Sequence, residues 1–237
     1  MTKLLAAIFA LSCLSSISGA YAADAAPALT PIHWQYKLSD TVVTDTGADG
    51  KTTQALNVEV VDYFLGTIAS RVDQYPIVFA NNAEKVDVID KLRRLTTLLN
   101  ELDTGPSVDL DILRREAFAY SLANDLDFPD AGRKANDLYQ RLLQQTPDDP
   151  AANYLYGSLL ASNDSLRPQS IPFLEKAAKL GVKKANYTLG TVYIALGKDQ
   201  QALTYLQQYS SDFPDDQRVK SLIAAVKNGD IRRGSHP

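Results

Sequence analysis

The chain has 237 residues, of which 45% are hydrophobic and 22% charged, an ordinary globular balance long enough for one sizeable domain plus an appendage. Its formal net charge is −4, so no basic field exists to draw in nucleic acid or anionic lipid. DNA binding is disfavoured before any motif is read.

Residues 1–22 differ from the rest. Lys3 supplies a positive start, "LLAAIFAL" at 4–11 is a short apolar core, and Ala20-Tyr21-Ala22 is a small-x-small cleavage site. The apolar run is far shorter than the roughly 20 residues of a membrane span. A secretory signal peptide cut after Ala22 is expected, which makes the protein periplasmic or secreted. The cut removes Lys3 and no acid, so the charge of −4 becomes −5. The single cysteine, Cys13, lies inside this segment. The mature chain then has no thiol for a disulfide, a metal or catalysis. The rival reading makes Cys13 a lipidated first residue, although Ala10-Leu11-Ser12 before it is a poor lipoprotein signal.

Residues 23–57 are an extended or loosely ordered segment. "IHWQYKL", "TVVTDT" and "KTTQAL" suit a short hairpin around the Asp-Gly of "GADG", and an ordered strand pair and a loose tail both stay open. "DTGADG" also hints at a calcium loop, but Leu56 stands where a closing acid is needed, which favours a plain turn. Trp34, the only Trp, is placed to pin this segment to a helical body.

Residues 58–105 form an N-terminal helical region. A helix over 58–73 carries Val61, Leu65, Ile68 and Val72 and stops before Pro76. A second over 84–103 repeats Ile89, Leu92, Leu95, Leu99 and Leu102 at intervals of three and four, then breaks at Gly105-Pro106-Ser107. Another helix runs from about Asp109 to Asn124.

Residues 106–230 repeat. "AANYLYGSLLAS" at 151–162 returns as "KANYTLGTVYIA" at 184–195, with Gly157 and Gly190 33 apart. Ala135 and Ala202 are 67 apart, as are Pro147 and Pro214, so units of about 116–149, 150–182 and 183–216 fall into register. The clearest unit presents Leu189-Gly190, Tyr193, Ala202, Leu206 and Pro214 in order. The small residues mark close approach of two helices, with Ala135 and Ala202 facing the first helices from the second. The Asp-Asp pairs after Pro147 and Pro214 supply helix N-caps rather than calcium ligands. A last helix after Pro214, with Val219, Leu222, Ile223 and Val226, ends near Asn228-Gly229 and caps the array. Residues 231–237 are a tail.

These units resemble the tetratricopeptide repeat, W-x2-L-G-x2-Y…A-x3-F…P, and the join "AAKLGVKKANYTLGTVY" at 177–193 is similar to the related Sel1-like repeat of exported bacterial proteins. No Trp opens any unit, Ala123 replaces Gly in the first, and the second lacks its closing Pro. The resemblance implies an all-α fold: a right-handed α-α solenoid of about three such hairpins, with N-terminal helices and a C-terminal capping helix. It also implies that the first helices line a concave face. Register then places Tyr120, Tyr154 and Tyr187 at equivalent positions, with Asn124, Ser158 and Thr191 one turn later. Together with Lys184 these form the candidate peptide-binding groove, although the tyrosines equally suit packing between helices. Clamping of a C-terminal carboxylate is disfavoured: Tyr120 stands where such members carry Lys, and Ser121, Leu155 and Thr188 where Arg would help.

No catalytic, cofactor or metal site is expected. The two histidines, His33 and His236, lie near the ends, and no phosphate loop, HExxH or GxSxG occurs. The expected function is a non-catalytic periplasmic scaffold that holds an extended peptide or helix of an envelope protein, with no nucleic acid and no transmembrane span. The alternatives are a lipid-anchored outer-membrane assembly factor and a carboxylate-dependent enzyme.

Overall fold

The structure, a computed structural model, describes residues 29–72, 76–103 and 109–231. The signal segment with Cys13, the Gly105-Pro106-Ser107 break and His236 lie outside these residues. The described residues form a two-stranded hairpin and nine helices, so the protein is an all-α repeat fold. No strand interrupts residues 116–228. The described residues divide into two compact units, one over 29–72, 77–103 and 109–138 and the other over 139–231 with residue 76.

In the first unit, β1 (Val42–Thr46) pairs antiparallel with β2 (Thr52–Leu56) in the register Val42↔Leu56 to Thr46↔Thr52. Of the two readings of 23–57, the ordered pair is the observed one for "TVVTDT" and "KTTQAL". "IHWQYKL" forms no strand and runs irregularly into a 3-10 turn at Leu38–Thr41. Trp34 pins that run to the helices: its Nε1 donates to Asp87 Oδ2 at 2.5 Å, and its ring lies 5.3 Å from Phe64 and under Lys91 Nζ at 4.7 Å.

Helix α1 (Val58–Val72) buries the whole expected stripe of Val61, Leu65, Ile68 and Val72. Helix α2 (Asn82–Leu102) corrects its expected stripe. Leu92, Leu95 and Leu99 are fully buried, but Val88 takes the place expected for Ile89, and Leu102 is exposed. The helix begins earlier because Asn81 caps it, its side chain accepting from the Glu84 N–H at 2.9 Å. The Glu84 carboxylate reaches back to the Ala80 N–H at 2.8 Å and pairs with Arg71 of α1 at 2.5 Å. Helix α3 (Leu110–Asp125), capped by Asp109, is tied to α1 by Arg115, whose guanidinium makes two 2.8 Å bonds to the Asp62 carboxylate. Such planar, two-point pairing fixes orientation as well as distance.

Helix α4 (Ala131–Gln145) buries Ala135, Leu138, Tyr139 and Leu142, the face read from the sequence. In the second unit follow α5 (Pro150–Ala161), α6 (Arg167–Lys179), α7 (Ala185–Ala195), α8 (Asp199–Asp212) and α9 (Gln217–Asn228). Each packs on the next from α5 to α9, and α5 also touches α7, the pattern of stacked hairpins. The Asp-Asp pairs act as helix caps: Asp149 accepts from the Ala152 N–H at 2.9 Å and Asp216 from the Arg218 N–H at 3.0 Å. The other acid of the first pair, Asp148, bridges to Lys176 at 2.8 Å.

Gly157 and Gly190 stand where the paired helices approach most closely. A Cβ on Gly157 would meet Leu174 Cγ at 2.7 Å, and one on Gly190 would meet Leu206 Cγ at 2.5 Å. The alanine partner expected from the pattern is secondary: only the Ala202 carbonyl comes near Gly190, at 3.5 Å. Gly229 ends α9 with φ 73°, a left-handed cap that favours glycine. Of the expected α9 stripe, Val219 and Val226 are buried, while Leu222 and Ile223 are half-buried.

Candidate functional site

The tyrosines read as a ladder lie on α3, α5 and α7, and their surroundings differ. Tyr120 is buried, and its hydroxyl accepts from Lys134 Nζ of α4 at 3.1 Å, with the ammonium 4.8 Å from the ring. Tyr154 is buried with 5% of its surface exposed. Tyr187 is half-buried, its ring 5.3 Å from Tyr209 of α8, and burial together with the nearby Asp216 pushes its phenol pKa up against the opposing pull of Arg218. Tyr209 carries the cluster further. Its hydroxyl donates to Asp216 Oδ2 at 3.2 Å, its ring meets Phe213 at 4.6 Å, and burial lifts its pKa to about 12.

The row of small polar groups divides the same way. Ser158 and Thr191 are buried, and Thr191 Oγ1 donates back to the Thr188 carbonyl at 2.8 Å. Ser158 Oγ is buried with no hydrogen-bond partner among the described residues. Asn124 is half-buried and bonds Asp125; its amide lies where a side chain on Gly132 would collide, 2.5 Å from that Cβ position. Lys184 is half-buried and engaged. In the second unit Tyr187 and Lys184 therefore keep surface to offer, whereas Tyr154, Ser158 and Thr191 fill space between helices.

A concavity lies elsewhere in this unit. Glu175, Ala178 and Lys179 of α6, Asn186 of α7, and Tyr205 and Gln208 of α8 line a groove of about 410 Å³. The Tyr205 hydroxyl donates to Glu175 Oε1 at 2.9 Å, and its ring stacks on Tyr193 at 5.5 Å with 6° between planes. Burial first, then the Glu175 bond, holds the Tyr205 phenol far above its ordinary range. The periodic pattern drew attention to first helices, and this groove is lined mainly by second ones. One signal was present. Asn153 and Asn186 are the same residue of successive units, and Asn153 spends its amide on the Pro147 and Asp149 carbonyls at 2.9 and 2.8 Å. Before Asn186 the Pro-Asp-Asp turn is replaced by Leu180-Gly181-Val182.

Residues 169–226, from α6 through most of α9, match the family model described as tetratricopeptide repeat. No curated protein matches the chain. The match, on helices that pair as such repeats do, supports a tetratricopeptide-type repeat protein. Repeats of this type commonly mediate protein–protein interaction and are typically non-catalytic modules. No helix among the described residues is long and apolar enough to cross a membrane.

Proposed function

We propose that this protein is a non-catalytic interaction scaffold of the bacterial periplasm, exported by its first 22 residues and built from tetratricopeptide and Sel1-like units. Its partner is an extended peptide or helix of another envelope protein. The observation that carries the reading is the register of α5–α6 with α7–α8: the glycine-on-leucine contacts recur in both, and the second lies within the segment that matches an interaction repeat. Stacked hairpins repeat one surface at regular intervals, which suits a ligand that itself repeats along its length. Of the sequence-read groove residues, Tyr187 and Lys184 are the contacts best placed to serve in the second unit.

A photo-crosslinking amino acid at position 187, in cells that make the full chain, tests this reading. A discrete adduct with an envelope protein, weakened by Lys184→Glu, is expected. Absence of any adduct at 187, with the protein folded and abundant, overturns it. Mass spectrometry of the purified protein tests export: a chain starting at Ala23 is expected, and an acylated Cys13 or a retained Met1 contradicts it.

A further inference from the structure

The α6–α7–α8 groove rests on the interaction reading and sharpens it. Four lysines lie between 176 and 184. Lys176 pairs with Asp148, Lys183 with Asp212 at 2.6 Å, and Lys184 is engaged. Among the described residues Lys179 makes no ion pair, although Glu175 stands one helical turn before it on α6, where such a pair commonly forms. Glu175 instead receives the Tyr205 hydroxyl. Asn186 and Gln208 face the same groove, and their amides have no hydrogen-bond partner among the described residues. The equivalent Asn153 amide, by contrast, is spent on the Pro147 and Asp149 carbonyls.

An Asn or Gln side chain offers donors and an acceptor in one plane, and an extended peptide presents N–H and C=O groups in alternation. Two such amides in a groove with a cation and a carboxylate suit a peptide main chain that carries charged side chains. We propose that this groove docks an extended peptide segment of a partner protein bearing an acidic and a basic side chain two residues apart, and so on one face of the strand. Lys179 takes the acid, Asn186 and Gln208 bond the main chain, and Glu175, oriented by Tyr205, takes the base.

The test is an NMR titration of the full-length ¹⁵N-labelled chain with short peptides blocked at both ends. One carries Glu and Lys in turn at every second position with Ser between, a second has Gln at all the charged positions, and a third is the Gln peptide with a free C-terminal carboxylate. Saturable shifts of the Asn186 and Gln208 side-chain amides with the Glu/Lys peptide alone are expected. Lys179→Glu should weaken binding at least roughly tenfold and Lys179→Arg by no more than about twofold. Both variants change an exposed side chain, so circular dichroism should be unaltered. Binding undiminished by Lys179→Glu, equal binding of the Gln peptide, binding confined to the free carboxylate, or silence from every peptide each overturns the groove. The crosslink at position 187 judges the interaction reading separately.

Discussion

A methyl group at position 190 would sit 2.5 Å from Leu206 Cγ and 2.6 Å from Cδ2. Leu206 is fully buried on α8 and its Cγ is not the free tip of a mobile chain, so the clash must be relieved by moving helices. Overpacking of this kind costs about 1–3 kcal/mol. Gly190→Ala is therefore expected to lower the thermal midpoint by several degrees, and adding Leu206→Ala should recover less than it removes, because that change opens its own cavity. A midpoint for Gly190→Ala at or above that of the natural protein would show that glycine there is not a packing requirement. In the first unit Ala123 stands where later units have glycine, and it is Gly132, beyond the turn, that makes room for a neighbour, the Asn124 amide.

Helix α3 ends on an acid, the unfavourable sign for the negative end of a helix dipole. Burial, reinforced by nearby Asp127 and opposed by a bond from Asn124, lifts the Asp125 carboxyl from 3.8 to about 7. Its folded pKa exceeds its unfolded one, so the proton is held more tightly in the folded state. Stability is thus undiminished below about pH 4 and falls as pH rises towards 7. Asp125→Asn should raise the unfolding free energy at pH 8 by about 1–2 kcal/mol, after discounting for the half-buried carboxyl's remaining contact with water, and leave it unchanged at pH 3.5. Denaturant unfolding at the two pH values checks this, and an equal effect at both refutes it. Element by element, the helices were legible because amphipathic period, glycine spacing and Asp caps are local properties. One member of the α2 stripe changed because Val88 and Ile89 are both apolar neighbours, and only packing chooses between them. The burial of Tyr154 and Ser158, and the groove formed by Lys179, Asn186 and Gln208, depend on which surfaces the stacked helices cover. Register alone carries no such information.

In a stacked array each hairpin is held by its neighbours, so stability accumulates along the stack and an open end leaves apolar surface wet. At the C-terminal end α9 covers that surface. Val219 and Val226 are buried, and Asp216, at its N-cap, anchors the Tyr209 hydroxyl. Burying two valines is worth about 1.5–3 kcal/mol each, and half-buried Leu222 and Ile223 add to this. Ending the chain after Phe213 should therefore remove about 3–6 kcal/mol, which for a protein of this size lowers the thermal midpoint by roughly 10 °C or more. The α7–α8 hairpin would keep its glycine contact, so helical circular dichroism should persist at low temperature while binding of an apolar dye rises. If the shortened chain melts at the original temperature without new dye binding, α9 is an appendage rather than the lid that closes the array.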